Sequence, residues 1–167
     1  MKLIISGSTG LVGSALAASL EADGHTCLRL VRRPSPTGPS EIAWDPAAAA
    51  FPDPGALEEA DALVHLAGRN IACRWTAANR AAIRDSRIAG TAQLAGALAQ
   101  LDRPPPVWLS ASATGYYGDT GDREVNESSG PGTGFLAEVC QDWEGATQPA
   151  EAAGIRVVHL RTGVCLL

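Results

Sequence analysis

The apolar residues of this chain fall in short, almost unbroken runs. Lys2 to Ser6, Thr26 to Val31, Ala62 to Ala67, Val107 to Ser110 and Ile155 to Leu160 each read as a strand, and Glu41 to Trp44 as a shorter one. Between them the period changes. Ser14 to Asp23 predicts a helix, with Leu16 and Leu20 one turn apart and Gly24 as its stop. Gly55 to Ala60 predicts a short helix. Thr76 to Leu101 predicts a long one, with Thr76 as its N-cap and Ile88, Ala92, Ala95 and Leu98 along one face; Pro104-Pro-Pro106 ends it. Phe135 to Ala153 predicts a last helix, which Pro149 should kink or restart and Gly154 should end. Pro34 to Ser40, Pro46 to Pro54 and Gly115 to Gly134 read as loops.

Alternating strands and helices imply a parallel sheet with helices on both faces. Strands buried on both faces need no polar alternation, which accounts for the unbroken runs. Right-handed crossovers give the order 3-2-1-4-5-6, a Rossmann-type doubly wound α/β fold. Ligands of such a sheet lie beyond the carboxyl ends of its strands, so the residues just after each strand carry the chemistry.

Composition narrows the classes. The chain has 167 residues, enough for one domain over 1–167 that buries roughly 70% of its unfolded surface. Net charge is −5 and no basic run exists, so nucleic acid is not an expected partner. No apolar stretch is long enough to span a membrane, and Leu3 to Ile5 is too short for a signal peptide. Cys27, Cys73, Cys140 and Cys165 are widely spaced and form no ligand pattern. They read as reduced thiols of a cytoplasmic protein with no metal site. A small-molecule substrate is the expected partner, and a homodimer stays open as the assembly.

The most informative segment lies between the first strand and first helix. Gly7-Ser-Thr-Gly10-Leu-Val-Gly13 places glycines where a dinucleotide fold needs them. Gly7 permits the tight turn, Gly10 lets backbone approach a pyrophosphate, and Gly13 lets the helix pack close to the strand. The helix N-terminus then offers unpaired N–H groups to phosphate. The second strand ends in Val31-Arg32-Arg33, and no carboxylate occurs between Asp23 and Glu41. A site for NAD would place Asp or Glu here, about 20 residues past the glycines, on the ribose hydroxyl. Arg32 instead suits the 2′-phosphate of NADP. After the fourth strand, Leu66-Ala67-Gly68 is small enough to pass beside adenosine and pyrophosphate. His65 sits inside an apolar run and reads as a hydrogen-bonded core histidine. The segment from Ser110 through Ser112, Tyr116 and Tyr117 to Asp119 puts hydroxyls where the nicotinamide should lie. It also reads as a serine-rich turn capping loop carbonyls.

Together these motifs resemble an extended short-chain dehydrogenase/reductase. Asn70-Ile-Ala, Arg74-Trp-Thr76, Ile83-Arg-Asp-Ser-Arg87, Phe135-Leu-Ala-Glu-Val-Cys140, Trp143-Glu144 and Arg161-Thr-Gly163 are similar to an atypical branch of it. That is the epimerase family labelled nucleoside-diphosphate-sugar epimerase or cell-division inhibitor-like. The resemblance covers essentially the whole chain. It implies an NADP site lined by Gly7, Ser8, Thr9, Gly10, Leu11, Val12, Arg32, Leu66, Ala67 and Arg87, with Gly13, Gly68 and Ser110 beside it. Arg87 is expected as a cation on the helix after the fourth strand, facing the phosphates.

Two departures stand out. Typical members carry Tyr-x-x-x-Lys on the helix after the fifth strand, a proton donor and the lysine that tunes it. Here Phe135 and Val139 occupy those places, and the chain's only lysine is Lys2. Ser112 and Tyr117 are the remaining catalytic candidates, as carbonyl hydrogen-bond donor and proton donor, with Tyr116 as an alternative to Tyr117. The apolar Gly163-Val-Cys-Leu-Leu167 carries no stop, so the chain is expected to be the cofactor part of a longer protein, lacking most of the C-terminal substrate lobe. Two functions follow: an NADP(H)-dependent oxidoreductase or epimerase of unknown substrate, or a non-catalytic NADPH-binding sensor or regulator.

Overall fold

The structure, a computed structural model, describes residues 1–32 and 35–165. Arg33, Pro34 at the start of its loop, and the two terminal leucines of the apolar tail lie outside the described residues. Strands β1 (Lys2–Ser6), β2 (Thr26–Val31), β3 (Glu41–Ala43), β4 (Ala62–His65), β5 (Val107–Ala113) and β6 (Arg156–Thr162) form a parallel sheet. Its order is β3-β2-β1-β4-β5-β6, as the alternation requires. Helices α1 (Leu11–Ala22), α2 (Ala77–Leu98), α3 (Phe135–Gly145) and α4 (Gln148–Ala152) cover it.

Adjacent residues of a strand point to opposite faces. Ile4 packs with Leu63, Trp108, Leu94, Leu98 and Ala150, under α2 and α4. Its neighbour Ile5 packs with Val64, Cys27 and Ala17, under α1. Both isoleucines are fully buried, so β1 carries apolar residues to both faces, and its last residue, the buried Ser6, is polar.

Several element boundaries differ from expectation, each for a local reason. Helix α1 starts at Leu11, not Ser14, because Gly10 caps it and its carbonyl accepts from Ser14 N (2.9 Å). The short helix expected over 55–60 is a single 3-10 turn, Pro54–Leu57. The last helix is two: α3 stops at Gly145, and Pro149 sits in the first turn of α4, where a missing N–H costs nothing. The long helix α2 begins as expected, with Thr76 Oγ1 accepting from Asn79 N (3.2 Å). Its inward face is rotated from the expected one. Ala92 is exposed and Ile88 half-buried, while Ile83, Gly90, Thr91, Leu94, Ala95 and Leu98 point inward. Strand β5 runs on through Ser112 to Ala113, and β6 through Arg161 to Thr162.

Candidate functional site

A cleft of about 710 Å3 opens at the carboxyl ends of β1, β2 and β4. Gly7, Ser8, Thr9, Gly10, Arg32, Leu66, Ala67 and Gly68 line it, together with Leu30, Val31, Trp44, Pro46, Arg69, Asn70, Ala82 and Ser86. The backbone turn is built on Gly7, whose φ of +70° is in the left-handed region. A Cβ there would stand 2.8 Å from the Leu66 carbonyl carbon. Gly13 lies beneath, where a Cβ would strike the Gly7 carbonyl oxygen, so helix and turn meet backbone to backbone. The N–H groups of Leu11, Val12 and Gly13 have no acceptor within the helix, and the exposed Gly10 leaves the approach to them open. Leu11 and Val12 carry exposed side chains outside the cleft's lining.

The fourth-strand side of the cleft is held from inside the core. Ser6 Oγ accepts from the backbone N–H of Leu66 (3.1 Å) and Ala67 (3.3 Å). The Ser6 hydroxyl donates to His65 Nδ1 (2.6 Å), and His65 Nε2 pairs with Thr91 Oγ1 (3.0 Å). Thr91 donates to the Arg87 carbonyl (2.6 Å) and accepts from Trp143 Nε1 (2.9 Å). Its proton is therefore committed, which makes His65 the donor at Nε2 and fixes the neutral tautomer. Burial lowers the His65 pKa to about 4. The core reading of His65 holds, and the residue also supports the cleft. Arg87 stacks over the Trp143 ring at 5.1 Å and donates to the Ile83 carbonyl (3.1 Å). A Cβ on Gly68 would lie 3.4 Å from its guanidinium carbon, so Arg87 backs the lip of the cleft at Gly68.

Of the catalytic candidates, Ser112 and Tyr116 line neither cavity, while Tyr117 lines a second one of about 410 Å3, together with Thr114, Val125, Asn126, Glu127, His159 and Arg161. This second cavity shares no lining residue with the cleft. Ser112 faces Arg161 across β5 and β6. Ser112 Oγ donates to Glu144 Oε1 (2.6 Å), and Arg161 grips both oxygens of Glu144 at 2.9 Å. Arg161 Nη1 also donates to the Tyr117 hydroxyl (3.0 Å), and its guanidinium lies 3.5 Å from the centre of the Tyr116 ring. Burial alone would raise the Glu144 pKa; hydrogen bonds from Arg161 and Ser112, with the nearby charges, outweigh it and hold the carboxyl below its ordinary range. The hydrogen bond to Glu144 in turn raises Arg161. The Ser112 proton is thus given to a carboxylate, not left free for a carbonyl. Ser110 is fully buried, its hydroxyl has no partner among the described residues, and it lines neither cavity.

Sequence alone assigns no role to Glu144 or Arg161. They lie far from Tyr117 along the chain; the register of β5 on β6 sets Arg161 beside Ser112, and the packing of α3 brings Glu144 to both. Trp44, Pro46, Arg69, Asn70 and Ser86 also enter the cleft unannounced, since a single sequence says nothing of which loops fold over a strand end.

Comparison with known proteins agrees with this geometry. Residues 3–163 match the NAD dependent epimerase/dehydratase family. Epimerase family protein Mb2239 of Mycobacterium bovis is 52% identical over 163 residues, 97% of this chain and 53% of that protein. Human epimerase family protein SDR39U1 is 33% identical, over 99% of this chain and 55% of that one. The chain therefore spans about half the length of the curated relatives it matches. A nucleoside-diphosphate sugar epimerase from Corynebacterium glutamicum superposes with a TM-score of 0.85 at 45% identity, covering 99% of this chain and 34% of that one. The human SDR39U1 structure, solved with NADPH, gives a TM-score of 0.83 at 32% identity, with 99% and 55% covered. With its sheet order, glycine turn and near-complete match, the chain belongs to the NAD-dependent epimerase/dehydratase family.

Proposed function

We propose that the chain is the cofactor-binding part of an NADP(H)-dependent oxidoreductase or epimerase. The cleft carries this reading: a glycine turn, free helix N–H groups for a pyrophosphate, and Arg32 where an NAD site would hold a carboxylate. The NADPH in the human relative's structure supports the same choice. Bound there, the dinucleotide would supply or take up a hydride. Tyr117 is the proton donor of this reading. Its oxygen accepts from Arg161, so its own proton is free to pass to a carbonyl oxygen, and the guanidinium stabilises the charge left behind. Ser112 and Glu144 act as positioning residues, holding Arg161 in place. Free thiols at the described cysteines suit the reducing cytoplasm.

A second reading, a sensor that binds NADPH without turning it over, is favoured by one observation: Tyr117 opens into a cavity separate from the cleft. Calorimetry with NADPH and NADH, followed by NADPH oxidation against a carbonyl panel, separates the two. We expect tighter binding of NADPH, slow carbonyl-dependent oxidation by this chain, and a further drop of about 100-fold or more in Tyr117→Phe. Binding with no oxidation would favour the sensor, and no binding would sink both readings.

A further inference from the structure

Arg69 is the second cation of the cleft. It lines the β4 side, as Arg32 lines the β2 side, and among the described residues no Asp or Glu lines the cavity. The Arg69 guanidinium forms no ion pair among the described residues, although the chain is acidic overall. It is nonetheless held in place. Its Nη2 donates to Asn79 Oδ1 (3.2 Å), and its backbone N–H donates to Ser86 Oγ (3.1 Å). Asn79, Ala82 and Ser86 share one face of α2, and the last two line the cleft. The arginine therefore extends along the α2 wall of the cavity, past a residue small enough to leave it room. Asn79 is fixed in turn. Its Nδ2 donates to the Arg74 carbonyl (2.7 Å), and its backbone N–H donates to the capping Thr76 Oγ1 (3.2 Å). An amide oxygen orients a guanidinium without neutralising it, so the charge is left for a ligand.

The place of Arg69 selects which anion that is. The residues just before it rest on the glycine turn: a Cβ on Gly7 would stand 2.8 Å from the Leu66 carbonyl carbon, and Ser6 Oγ accepts from the N–H groups of Leu66 and Ala67. Strands β1 and β4 are neighbours, and their helices cover opposite faces of the sheet. The glycine turn and Arg69 thus stand on the two sides of the crevice where the strand order reverses. Arg32 is one strand further out, and Tyr117 opens into the other cavity. The anion nearest Arg69 is the one lying on the glycine turn, not a 2′-phosphate at Arg32 or a carbonyl at Tyr117.

We propose that Arg69 is a further cofactor-binding residue, which grips the pyrophosphate of the dinucleotide from the α2 wall, with Asn79 as its positioning residue. This rests on the cofactor-binding reading above. The pyrophosphate then meets backbone N–H groups on one side and a fork of charged donors on the other. The contact is common to NADPH and NADH, whereas that of Arg32 is confined to NADPH.

Calorimetric titration with NADPH, NADH and inorganic pyrophosphate tests this. Arg69→Met should weaken both dinucleotides by the same factor, roughly tenfold, and should weaken pyrophosphate as well. Arg69→Lys, a point charge without the fork, should fall between Arg69→Met and the parent. Asn79→Asp separates binding from structure. The new carboxylate would pair with Arg69 and, in the first turn of α2, which holds no acid now, would favour the helix. Its urea midpoint should hold or rise while both dinucleotides bind about fivefold more weakly; unchanged or tighter binding would remove Asn79 as the positioning residue. Unchanged affinity for both dinucleotides in Arg69→Met overturns the assignment. A loss confined to NADPH also overturns it, by giving Arg69 to the 2′-phosphate. If the parent holds pyrophosphate through Arg69 but neither dinucleotide, the cofactor reading falls and the anion site stands. If it holds none of the three, both fall.

Discussion

Arg32 decides between two dinucleotides that differ by one phosphate. It is exposed, lines the cleft at the end of β2, and has no carboxylate beside it in sequence. A charge-assisted clamp is worth about 1.5–3 kcal/mol, so Arg32→Ala should weaken NADPH roughly ten- to a hundredfold and leave NADH almost unchanged. Calorimetric titration with each cofactor checks this, and equal losses would remove the 2′-phosphate assignment. Gly10 tests the turn. Its φ of −79° and ψ of 172° suit any residue, so Gly10→Val should keep the fold while its side chain blocks the approach to the helix N–H groups. Dinucleotide binding should vanish from a chain with an unchanged far-ultraviolet spectrum. Undiminished binding would place the ligand elsewhere. These residues were legible because glycine turns and strand-end charges are local signals. The hydroxyl of Ser112 was not, because its partner Glu144 comes from a different element.

At the level of elements, helix α2 shows what hydrophobic periodicity finds and what it misses. Its N-cap was plain from Thr76, and Thr76→Ala should cost about 1 kcal/mol, read as a lower urea midpoint with an unchanged slope. Its inward face was not plain, because polar and glycine positions hold it. Thr91 is fully buried, bonded to His65 and Trp143, and a Cβ on Gly90 would come within 3.0 Å of Pro46 Cβ and 3.2 Å of Trp44 Cζ2. A rule that counts apolar residues assigns those positions outward and turns the helix. The same limit shortened the last two strands. Their final pairs, Ser112 with Arg161 and Ala113 with Thr162, include polar residues that become strand only through mutual pairing. Sheet order, by contrast, follows from alternation and the handedness of crossovers, and needed no such detail.

For the molecule as a whole, the buried imidazole makes stability depend on pH. In the folded chain His65 stays neutral down to about pH 4, whereas an unfolded histidine takes its proton near 6.5. The unfolded chain therefore binds more protons across that window, and stability falls as the pH falls through it, by on the order of 3 kcal/mol in all. Glu144, held below its ordinary range, acts further down: its contribution is present above the ordinary carboxylate value and is lost as the pH falls through its folded one. Urea midpoints from pH 7 to pH 4 should fall steeply for the parent and more gently for His65→Gln. Parallel curves would mean that His65 is not the group responsible. The bonds from His65 through Ser6 to the amides of Leu66 and Ala67 also tie this interior to the cleft. A chain with His65, Thr91 and Trp143 replaced together by well-packed apolar residues loses most of this polar network at once, so the cost to its fold narrows to one buried hydroxyl left without its acceptor. Its Ser6 hydroxyl would have no imidazole to orient it, and the wall of the cleft would lose its anchor. Directed evolution for heat resistance alone would drift toward such chains, so each round would have to select for dinucleotide capture as well.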